Sequence, residues 1–314
     1  MDNGKTVAIV GSGYWGKKVI AEYTKLLDAK VLTKIYVFDI TKNLLNFSDK
    51  RIIPETNLEK FVEDINFAHV CTPNNTHFDV VKKLLENGIA TLVEKPISEK
   101  PEEAEELLKI AIKNSVKLKV GMVYRFSSAV EGAMRLIGDS VGSPKLISAS
   151  WLHNIEVPNI VRVMKERDVV WDIFIHLLDV INYLYDSWPE FYYSVGETNS
   201  YNLNHSFFAT GSIERSKLNM RSSFISHMKE RKIELIGENG NLILDLLNNT
   251  VTVGSDDDQR KISFNDNPLY SEILSFINSD EKDDHRNDGN VGISETRILA
   301  MLLEKSKNRR FMKR

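Results

Sequence analysis

One apolar segment, residues 171–179 (WDIFIHLLD), carries three groups that can exchange protons or hydrogen bonds. Asp172, His176 and Asp179 are spaced i, i+4 and i+7, which places them on one face of a helix. Charged groups are rarely buried without partners, so this stripe needs a polar surface such as a substrate cleft. Because the ordinary pKa of histidine lies near neutrality, we predict that His176 acts as general base or acid. Asp172 would orient its ring or hold a substrate hydroxyl. A core histidine, and a cap or salt bridge for Asp179, are the alternatives.

A glycine-rich segment near the N-terminus has the pattern of a dinucleotide-binding turn. Residues 11–16, GSGYWG, follow a short apolar run and open a segment with helical spacing. In this pattern the first glycine allows a tight turn, the second lets the backbone approach a pyrophosphate, and the third permits close helix packing. The N–H groups at the helix start would face the phosphates. The predicted cofactor contacts here are Gly11, Gly13, Gly16, Tyr14 and Trp15, although the two rings could instead only hold the helix in place.

The choice of cofactor depends on the acid that ends the next strand. Asp39 follows Gly16 by 23 residues, where a carboxylate accepts hydrogen bonds from the ribose hydroxyls of NAD. The same charge would repel the additional phosphate of NADP. We therefore predict NAD, with NADP possible because Lys42 and Arg51 lie nearby in the sequence.

The elements that must position these residues change in kind along the chain. Strand-like and helix-like segments alternate up to about residue 122, which is typical of a parallel sheet covered by helices. Between residues 190 and 253, successive runs with period-two alternation predict an antiparallel sheet. We therefore predict an α/β protein with two domains, an NAD(P)-binding domain at 1–122 and a substrate-binding and oligomerisation domain at 123–314.

Composition excludes several classes of function. The 314 residues carry a net charge of -3, with 42% hydrophobic and 27% charged residues, so nothing favours nucleic acid or an anionic membrane as partner. Cys71 is the only cysteine, which excludes an intramolecular disulfide and fits a reducing compartment. No signal-peptide layout or membrane-length apolar run is present. We expect a cytoplasmic protein and, without a Cys/His cluster in the sequence, no metal site.

Two further motifs join the glycine turn and the D-x-x-x-H helix. Residues 71–77 (CTPNNTH) follow the third strand, and residues 93–97 (VEKPI) follow the fourth. This order and spacing resemble the Gfo/Idh/MocA oxidoreductase family. Residues 120–126 (VGMVYRF) and 234–245 (ELIGENGNLILD) extend the resemblance over nearly the whole chain.

The resemblance implies a fold and an activity. It implies an N-terminal Rossmann domain and a C-terminal α/β domain with a large open, mostly antiparallel sheet. It also implies NAD(P)-dependent oxidation or reduction of a sugar-like hydroxyl or ketone, in a homodimer or homotetramer. Many members have a Gly-rich lead before the Asp, whereas this chain has RDVVWDIFIHLLD. That lead, with GYWGK and SHMKERKIELIG, is similar to the branch acting on nucleotide-linked amino sugars, such as UDP-N-acetylglucosamine 3-dehydrogenases.

Lys95 is the second residue predicted to handle the proton. It lies at the carboxyl end of a strand, where ligands bind in open α/β sheets. A lysine there can donate to the reacting oxygen, and desolvation would help it to relay a proton. In the family the matching lysine is catalytic or orients the substrate, and the bond to the following proline is often cis. A solvent-facing lysine is the alternative, and Glu94 would contribute by pairing or by cofactor contact.

Other candidates follow from the motif loop and from isolated cations. The resemblance places along the nicotinamide half of the cofactor a loop with Thr72, Pro73, Asn74 and His77. His77 could instead simply begin a helix. Arg125 and Lys229 are candidate contacts for an anionic substrate, with surface ion pairs as the alternative.

Two other functions remain open on the sequence. A free-sugar or polyol dehydrogenase would use the same scaffold, and a nucleotide moiety would be recognised largely outside the motifs. A non-catalytic NAD(P)-binding regulator is the other. The presence of both Lys95 and His176 argues against a regulator, which has no need of a proton-handling pair.

Overall fold

The computed structural model describes residues 5–41, 46–154, 167–255, 258–278 and 284–310. The chain forms two compact units, Met1–Val123 with Leu269–Arg297, and Tyr124–Pro268 with Ile298–Arg314. The sequence predicted a single boundary at 122/123, with residues 123–314 in the second domain. The structure differs because Leu269–Arg297 belongs to the first unit. This segment returns to the first unit because its helix buries one apolar face in the core beneath the first strand.

The first unit is built on a six-stranded sheet with the order β3-β2-β1-β4-β5-β6. All five pairings are parallel. The strands are β1 (Thr6–Val10), β2 (Lys34–Phe38), β3 (Ile52–Glu55), β4 (Phe67–Val70), β5 (Ala90–Glu94) and β6 (Leu118–Gly121). The helices between them are α1 (Tyr14–Asp28), α2 (His77–Glu86) and α3 (Pro101–Lys113). This is the predicted Rossmann arrangement.

Strand β1 shows why this sheet needs cover on both faces. All five of its residues are buried. Val7 and Ile9 enter one apolar cluster, whereas Ala8 and Val10 enter another, as the period of two requires. This explains why residues 7–10 are all apolar. The carboxyl end of the strand leads directly into the glycine turn.

The second unit contains an eight-stranded sheet with the order β14-β13-β12-β11-β7-β10-β9-β8. Only the β7–β10 pairing is parallel, so the prediction of a large, mostly antiparallel sheet is confirmed. The strands are β7 (Pro144–Asn154), β8 (Glu190–Thr198), β9 (Asn204–Ile213), β10 (Ser216–Ser223), β11 (Ile225–Gly237), β12 (Asn241–Asp245), β13 (Thr250–Ser255) and β14 (Asp258–Ser263).

The helices of the described chain beyond β6 are α4 (Ser128–Leu136), α5 (Ile175–Tyr185), α6 (Pro268–Asn278) and α7 (Gly289–Arg310). Helix α5 is preceded by a π turn, Val170–Phe174. Asp168 holds the start of that turn by accepting the amide of Val170 at 2.9 Å. Most of the turn and of α5 is buried in the core of the second unit. π turns within helices are frequent at functional sites, and this one carries Asp172.

No described helix is both long enough and apolar enough to cross a lipid bilayer. The cytoplasmic location stays a prediction.

Candidate functional site

The glycine turn after β1 has the geometry that its sequence predicts. Gly11 has φ +99°, and a Cβ there would lie 2.7 Å from the carbonyl oxygen of Cys71. A Cβ on Gly16 would lie 2.1 Å from the Gly11 oxygen. At Gly13, by contrast, a Cβ would meet nothing within 4 Å. The first and third glycines are therefore required by packing, whereas the second faces open space.

The N-terminus of α1 is prepared for an anion. Gly13 precedes the helix without a side-chain cap, and the first turn contains no acidic residue. Its N–H groups and dipole are therefore available to a negatively charged group. Together with the open space at Gly13, this fits the pyrophosphate of a dinucleotide.

Asp39 is tied to this turn. Its Oδ2 accepts hydrogen bonds from the amide and the hydroxyl of Ser12 at 2.7 and 2.8 Å, and its Oδ1 accepts from the amide of Thr41 at 2.8 Å. Burial raises the pKa of Asp39, but these hydrogen bonds outweigh burial and leave the pKa below its usual range. Arg51 is paired with Asp28 and Asp49 at 2.7 and 2.6 Å. Lys42 lies outside the described residues.

Glu94 joins the start of α1 to the sheet. The Trp15 indole donates to Glu94 Oε1 at 2.5 Å, and the buried His69 ring lies 3.2 Å from the same oxygen. A Cβ at Gly121 would lie 2.9 Å from Glu94 Oε2, so this glycine makes room for the carboxylate. Of the two candidate rings, Trp15 is therefore held by a protein partner, whereas Tyr14 is 72% exposed.

The same corner gathers three potential metal ligands that the sequence analysis did not connect. His69, Cys71 and Glu94 offer ligand atoms within 4.8 Å of one another, because β4 and β5 are neighbours in register. Burial, followed by the charge of Glu94, raises the pKa of the Cys71 thiol. A protonated thiol is a poor ligand, and Glu94 is already bonded to Trp15. Glu94 is better explained as the common hydrogen-bond partner of Trp15 and His69 than as a metal ligand.

His77 connects the two motif loops of the first unit. It is 1% exposed, and its Nδ1 and Nε2 lie 2.8 Å from the Pro96 oxygen and 2.9 Å from the Thr72 oxygen. The expected cofactor contact is not supported, because the ring is buried and both nitrogens face carbonyl groups. His77 instead holds the loop after β4 against the turn after β5. That turn contains the cis Lys95–Pro96 bond expected from the resemblance.

The rest of the motif loop is held by its own hydrogen bonds. The Thr76 hydroxyl donates to the Thr72 hydroxyl and the Pro73 oxygen at 2.8 and 2.7 Å. The Asn74 amide donates to Glu99 at 3.1 Å. Pro73 is exposed and Asn74 is half-buried, so both can be reached by a ligand. Lys95 is also half-buried.

In the second unit, Asp172 and His176 remain half-buried in a helical segment that is mostly buried. Asp172 Oδ2 lies 3.2 Å from the Arg167 guanidinium. The His176 ring stacks on Trp151, with 5.0 Å between centroids and 20° between planes. Tyr124 contacts it edge-on at 5.4 Å. The imidazole is thus fixed by aromatic contacts.

Asp179, the third member of the stripe, has a different role. Its Oδ1 accepts from Arg125 Nε at 2.5 Å, and Asn182 Oδ1 accepts from Arg125 Nη2 at 2.5 Å. Asp179 and Arg125 are 1% and 5% exposed. The salt-bridge alternative therefore explains Asp179. The prediction that Arg125 contacts an anionic substrate is not supported, because its charge is used inside the protein.

Sequence reasoning missed the side chains that surround His176 in the second unit. Trp151 and His153 lie on β7, and Arg231 is the register partner of Trp151 on β11. The Arg231 guanidinium carbon lies 4.6 Å from the Trp151 ring centroid. The segments 120–126 and SHMKERKIELIG contained Tyr124 and Arg231, but no local pattern indicated that they meet. Lys229, the predicted cation of that segment, is exposed.

Comparison with known proteins gives a family match for the first part of the chain. Residues 5–122 match the Gfo/Idh/MocA model, described as an oxidoreductase family with an NAD-binding Rossmann fold. The chain is 24% identical over 260 residues to UDP-N-acetylglucosamine 3-dehydrogenase of Acidithiobacillus ferrooxidans, covering 79% of this chain and 80% of that protein. It is 26% identical over 127 residues to inositol 2-dehydrogenase of Rhizobium meliloti, covering 40% and 38%.

Solved structures agree on the fold over nearly the whole chain. A structure of the Acidithiobacillus ferrooxidans enzyme superposes with a TM-score of 0.82 at 20% identity, covering 96% of this chain and 97% of that one. Levoglucosan dehydrogenase, in complex with NADH and levoglucosan, gives 0.83 at 14% identity, covering 97% and 98%. The predicted oxidoreductase class and fold are therefore confirmed, and residues 5–122 carry the match to the Gfo/Idh/MocA oxidoreductase family.

Proposed function

We propose that this protein transfers a hydride between NAD and a hydroxyl or ketone carbon of a sugar, and that the sugar is nucleotide-linked. The observation that carries the proposal is the pair Asp172 and His176, which stays half-buried in a helical segment that is mostly buried. A helix with only a structural role has no need of these two polar groups. A non-catalytic regulator would not need them either.

His176 is proposed to take the hydroxyl proton in oxidation and to return it in reduction. Its stacking on Trp151 fixes the plane of the ring, as proton transfer within hydrogen-bond reach demands. Asp172 would hold a neighbouring hydroxyl or the imidazole itself. Lys95 would donate to the reacting oxygen. The nicotinamide, when bound, supplies the acceptor or donor of the hydride.

The preference for NAD over NADP is supported by charge. The hydrogen bonds from Ser12 and Thr41 favour the ionised form of Asp39, which would repel a ribose phosphate. Arg51 is committed to two carboxylates, so its charge is compensated. We propose that Gly11, Gly13, Gly16 and Asp39 hold the cofactor, with Tyr14, Trp15, Thr72, Pro73, Asn74 and Glu94 around it.

The nucleotide-linked substrate is supported by the extent of similarity. UDP-N-acetylglucosamine 3-dehydrogenase matches this chain over 260 residues, about twice the length matched by inositol 2-dehydrogenase. A free-sugar dehydrogenase is the second candidate, because levoglucosan dehydrogenase has the same fold.

The test is to incubate the protein with NAD and a panel of UDP-sugars and free sugars, while NADH absorbance is followed. Turnover of a UDP-amino sugar but not of its free sugar is expected. Turnover of free sugars alone would select the second candidate. NAD binding without turnover, in either direction of the reaction, would contradict an enzymatic role.

We also propose that the outer face of the second unit's sheet mediates a homodimer or homotetramer. Val195, Phe208 and Arg221 form one row across β8, β9 and β10. Val195 and Phe208 are 40% and 37% exposed, and neighbouring exposed apolar side chains with a polar rim favour an interface. Light scattering should show an oligomer that Phe208→Glu converts to monomer, while a monomeric wild-type protein would contradict the proposal.

A further inference from the structure

Arg231 is a half-buried cation with no carboxylate partner among the residues that the structure describes. Its Nη1 donates to the Tyr124 hydroxyl at 3.2 Å, and its guanidinium carbon lies 4.6 Å from the centroid of the Trp151 ring. A guanidinium has five N–H donors, and this contact uses one of them. A partly desolvated charge without a counter-charge is unfavourable, so Arg231 has the properties of a group that awaits an anion.

The surroundings of Arg231 add positive charge. Burial lowers the pKa of His153, and the cations Arg231, Lys229 and Arg167 lower it further, against a single opposing carboxylate, Asp172. The nearest acid along the strand is Glu230, whose carboxylate accepts from the Ser150 hydroxyl. Since Arg231 pairs with Trp151 and Glu230 with Leu152, the Glu230 side chain lies on the opposite face of the sheet. The face that carries Arg231 therefore has an excess of positive charge.

Arg231 is linked to His176 through two aromatic rings. Trp151 contacts both the guanidinium and the imidazole. Tyr124 bonds to the guanidinium through its hydroxyl and packs edge-on against the imidazole. The cation is thus held one side chain away from the residue proposed to handle the proton, and a sugar at His176 can place a substituent near Arg231.

We propose that Arg231, positioned by Trp151 and Tyr124, binds an oxyanion carried by the sugar substrate. The oxyanion would be the carboxylate of a uronate or a phosphate of a nucleotide-linked sugar. Both present oxygens that match the fork of a guanidinium, whereas an ammonium group would offer only a point charge. The proposal deepens the proposed function and rests on it for the identity of the substrate, but the anion site itself can be tested without turnover.

The first experiment measures binding to the NADH-saturated protein by calorimetry, with UDP and glucuronate as separate probes. At least one probe should bind, and Arg231→Met should weaken it roughly 10- to 100-fold, the range for a lost hydrogen bond to a charged group. Binding of UDP alone identifies the phosphate as the source, and binding of glucuronate alone identifies the carboxylate. The matched control is Lys232→Met. Lys232 follows Arg231 in β11 and its side chain lies on the opposite face of the sheet, so removing its charge should leave binding unchanged. If neither probe binds, or both variants weaken binding equally, the proposal is wrong.

The second experiment separates this site from the activity itself. With a turned-over anionic sugar, Arg231→Met should raise KM roughly 10- to 100-fold, with a smaller change in kcat. Arg231→Lys should recover part of the loss, because it keeps the charge but not the fork. Unchanged NADH affinity and melting temperature would show that the variants fold. If no sugar is turned over while UDP binding still depends on Arg231, the proposed reaction fails and the anion site stands. Equal KM values for wild type and Arg231→Met would overturn the site alone.

Discussion

In the first unit, the candidate residues at the carboxyl edge of the sheet are bonded to the protein itself. Asp39 is held by Ser12, Glu94 by Trp15, and His77 by two carbonyl groups. In the second unit, His176 is held by ring contacts, and Arg231 bonds to a tyrosine hydroxyl and no described carboxylate. The first arrangement preserves a shape, whereas in the second the charge of Arg231 has no described counter-charge.

This difference matches the two ligands proposed. A dinucleotide pyrophosphate is bound by backbone N–H groups, which glycine residues allow to approach closely. Its site therefore requires a turn of fixed backbone geometry. A sugar is distinguished by the positions of its hydroxyl and charged groups, so its site requires side chains that retain donors. Variants that alter chemistry, packing or charge should therefore have different effects in the two units.

The largest expected effect is on turnover. His176→Ala and Lys95→Ala should each lower kcat by about 10²- to 10⁴-fold, the usual contribution of a positioned acid or base. The affinity for NADH, measured by fluorescence titration, should remain close to that of the wild type. His205→Ala, at a half-buried histidine on β9, serves as the control with normal kcat. Survival of turnover in both variants would refute the assigned roles.

The next effect is on stability in the second unit. Asp179→Ala would leave the Arg125 guanidinium buried without its charge partner, which should lower the free energy of unfolding by about 3–5 kcal/mol in urea titrations. The exposed Asp139→Ala is the matched control and should cost little. A double variant, Arg125→Met with Asp179→Leu, should recover most of the loss, because no charge is then left buried. A small effect of Asp179→Ala would mean that water or Asn182 compensates Arg125.

The sequence allowed the first unit to be predicted well and the second only in outline. Gly11, Gly13, Gly16 and Asp39 lie within one local β-α-β segment, so spacing alone specifies their geometry. The D-x-x-x-H pair was likewise visible because helical spacing is local. Asp179 was ambiguous, since a stripe on a helix does not reveal that Arg125 approaches from a segment 54 residues earlier.

The residues around His176 could not be predicted for the same physical reason. Trp151 and Arg231 come from strands that are adjacent in the sheet but 80 residues apart in sequence, and their register contains a bulge. The return of Leu269–Arg297 to the first unit also depends on which core accepts an apolar helix face. Composition does not specify that choice.

A smaller effect is expected at the glycine turn, and it separates binding from folding. A Cβ at position 13 would meet no protein atom within 4 Å, so Gly13→Ala should leave the melting temperature unchanged. It would occupy space needed by the pyrophosphate, and the Kd for NADH should rise about tenfold, the size of one weakened contact to a charged group. Gly138→Ala, also in open space, is the matched control. Unchanged affinity in Gly13→Ala would remove the turn from the cofactor site.

The smallest effect is a pH dependence of stability, and it tests the role given to His77. Burial lowers the pKa of His77 below its ordinary 6.5, despite the opposing influence of the Pro96 and Thr72 carbonyls. Burial also lowers the pKa of His153. Just below pH 6.5 the unfolded chain therefore binds protons that the folded protein does not. Stability consequently rises with pH across that window and is lost as pH falls through it.

Urea titrations between about pH 5 and 7 measure this slope as the difference between the wild type and each variant, which cancels the contribution of carboxylates such as Asp168, whose pKa is raised by burial. His77→Gln should reduce the slope, and His77→Gln with His153→Gln should reduce it further, whereas the matched control His205→Gln should retain it. A slope of opposite sign would mean that the two carbonyls hold His77 as the imidazolium, donating through both nitrogens. In that case His77 would place a buried positive charge beside Lys95 and the loop after β4. The first unit would then resemble the second, because a charged side chain would lie close to its ligand.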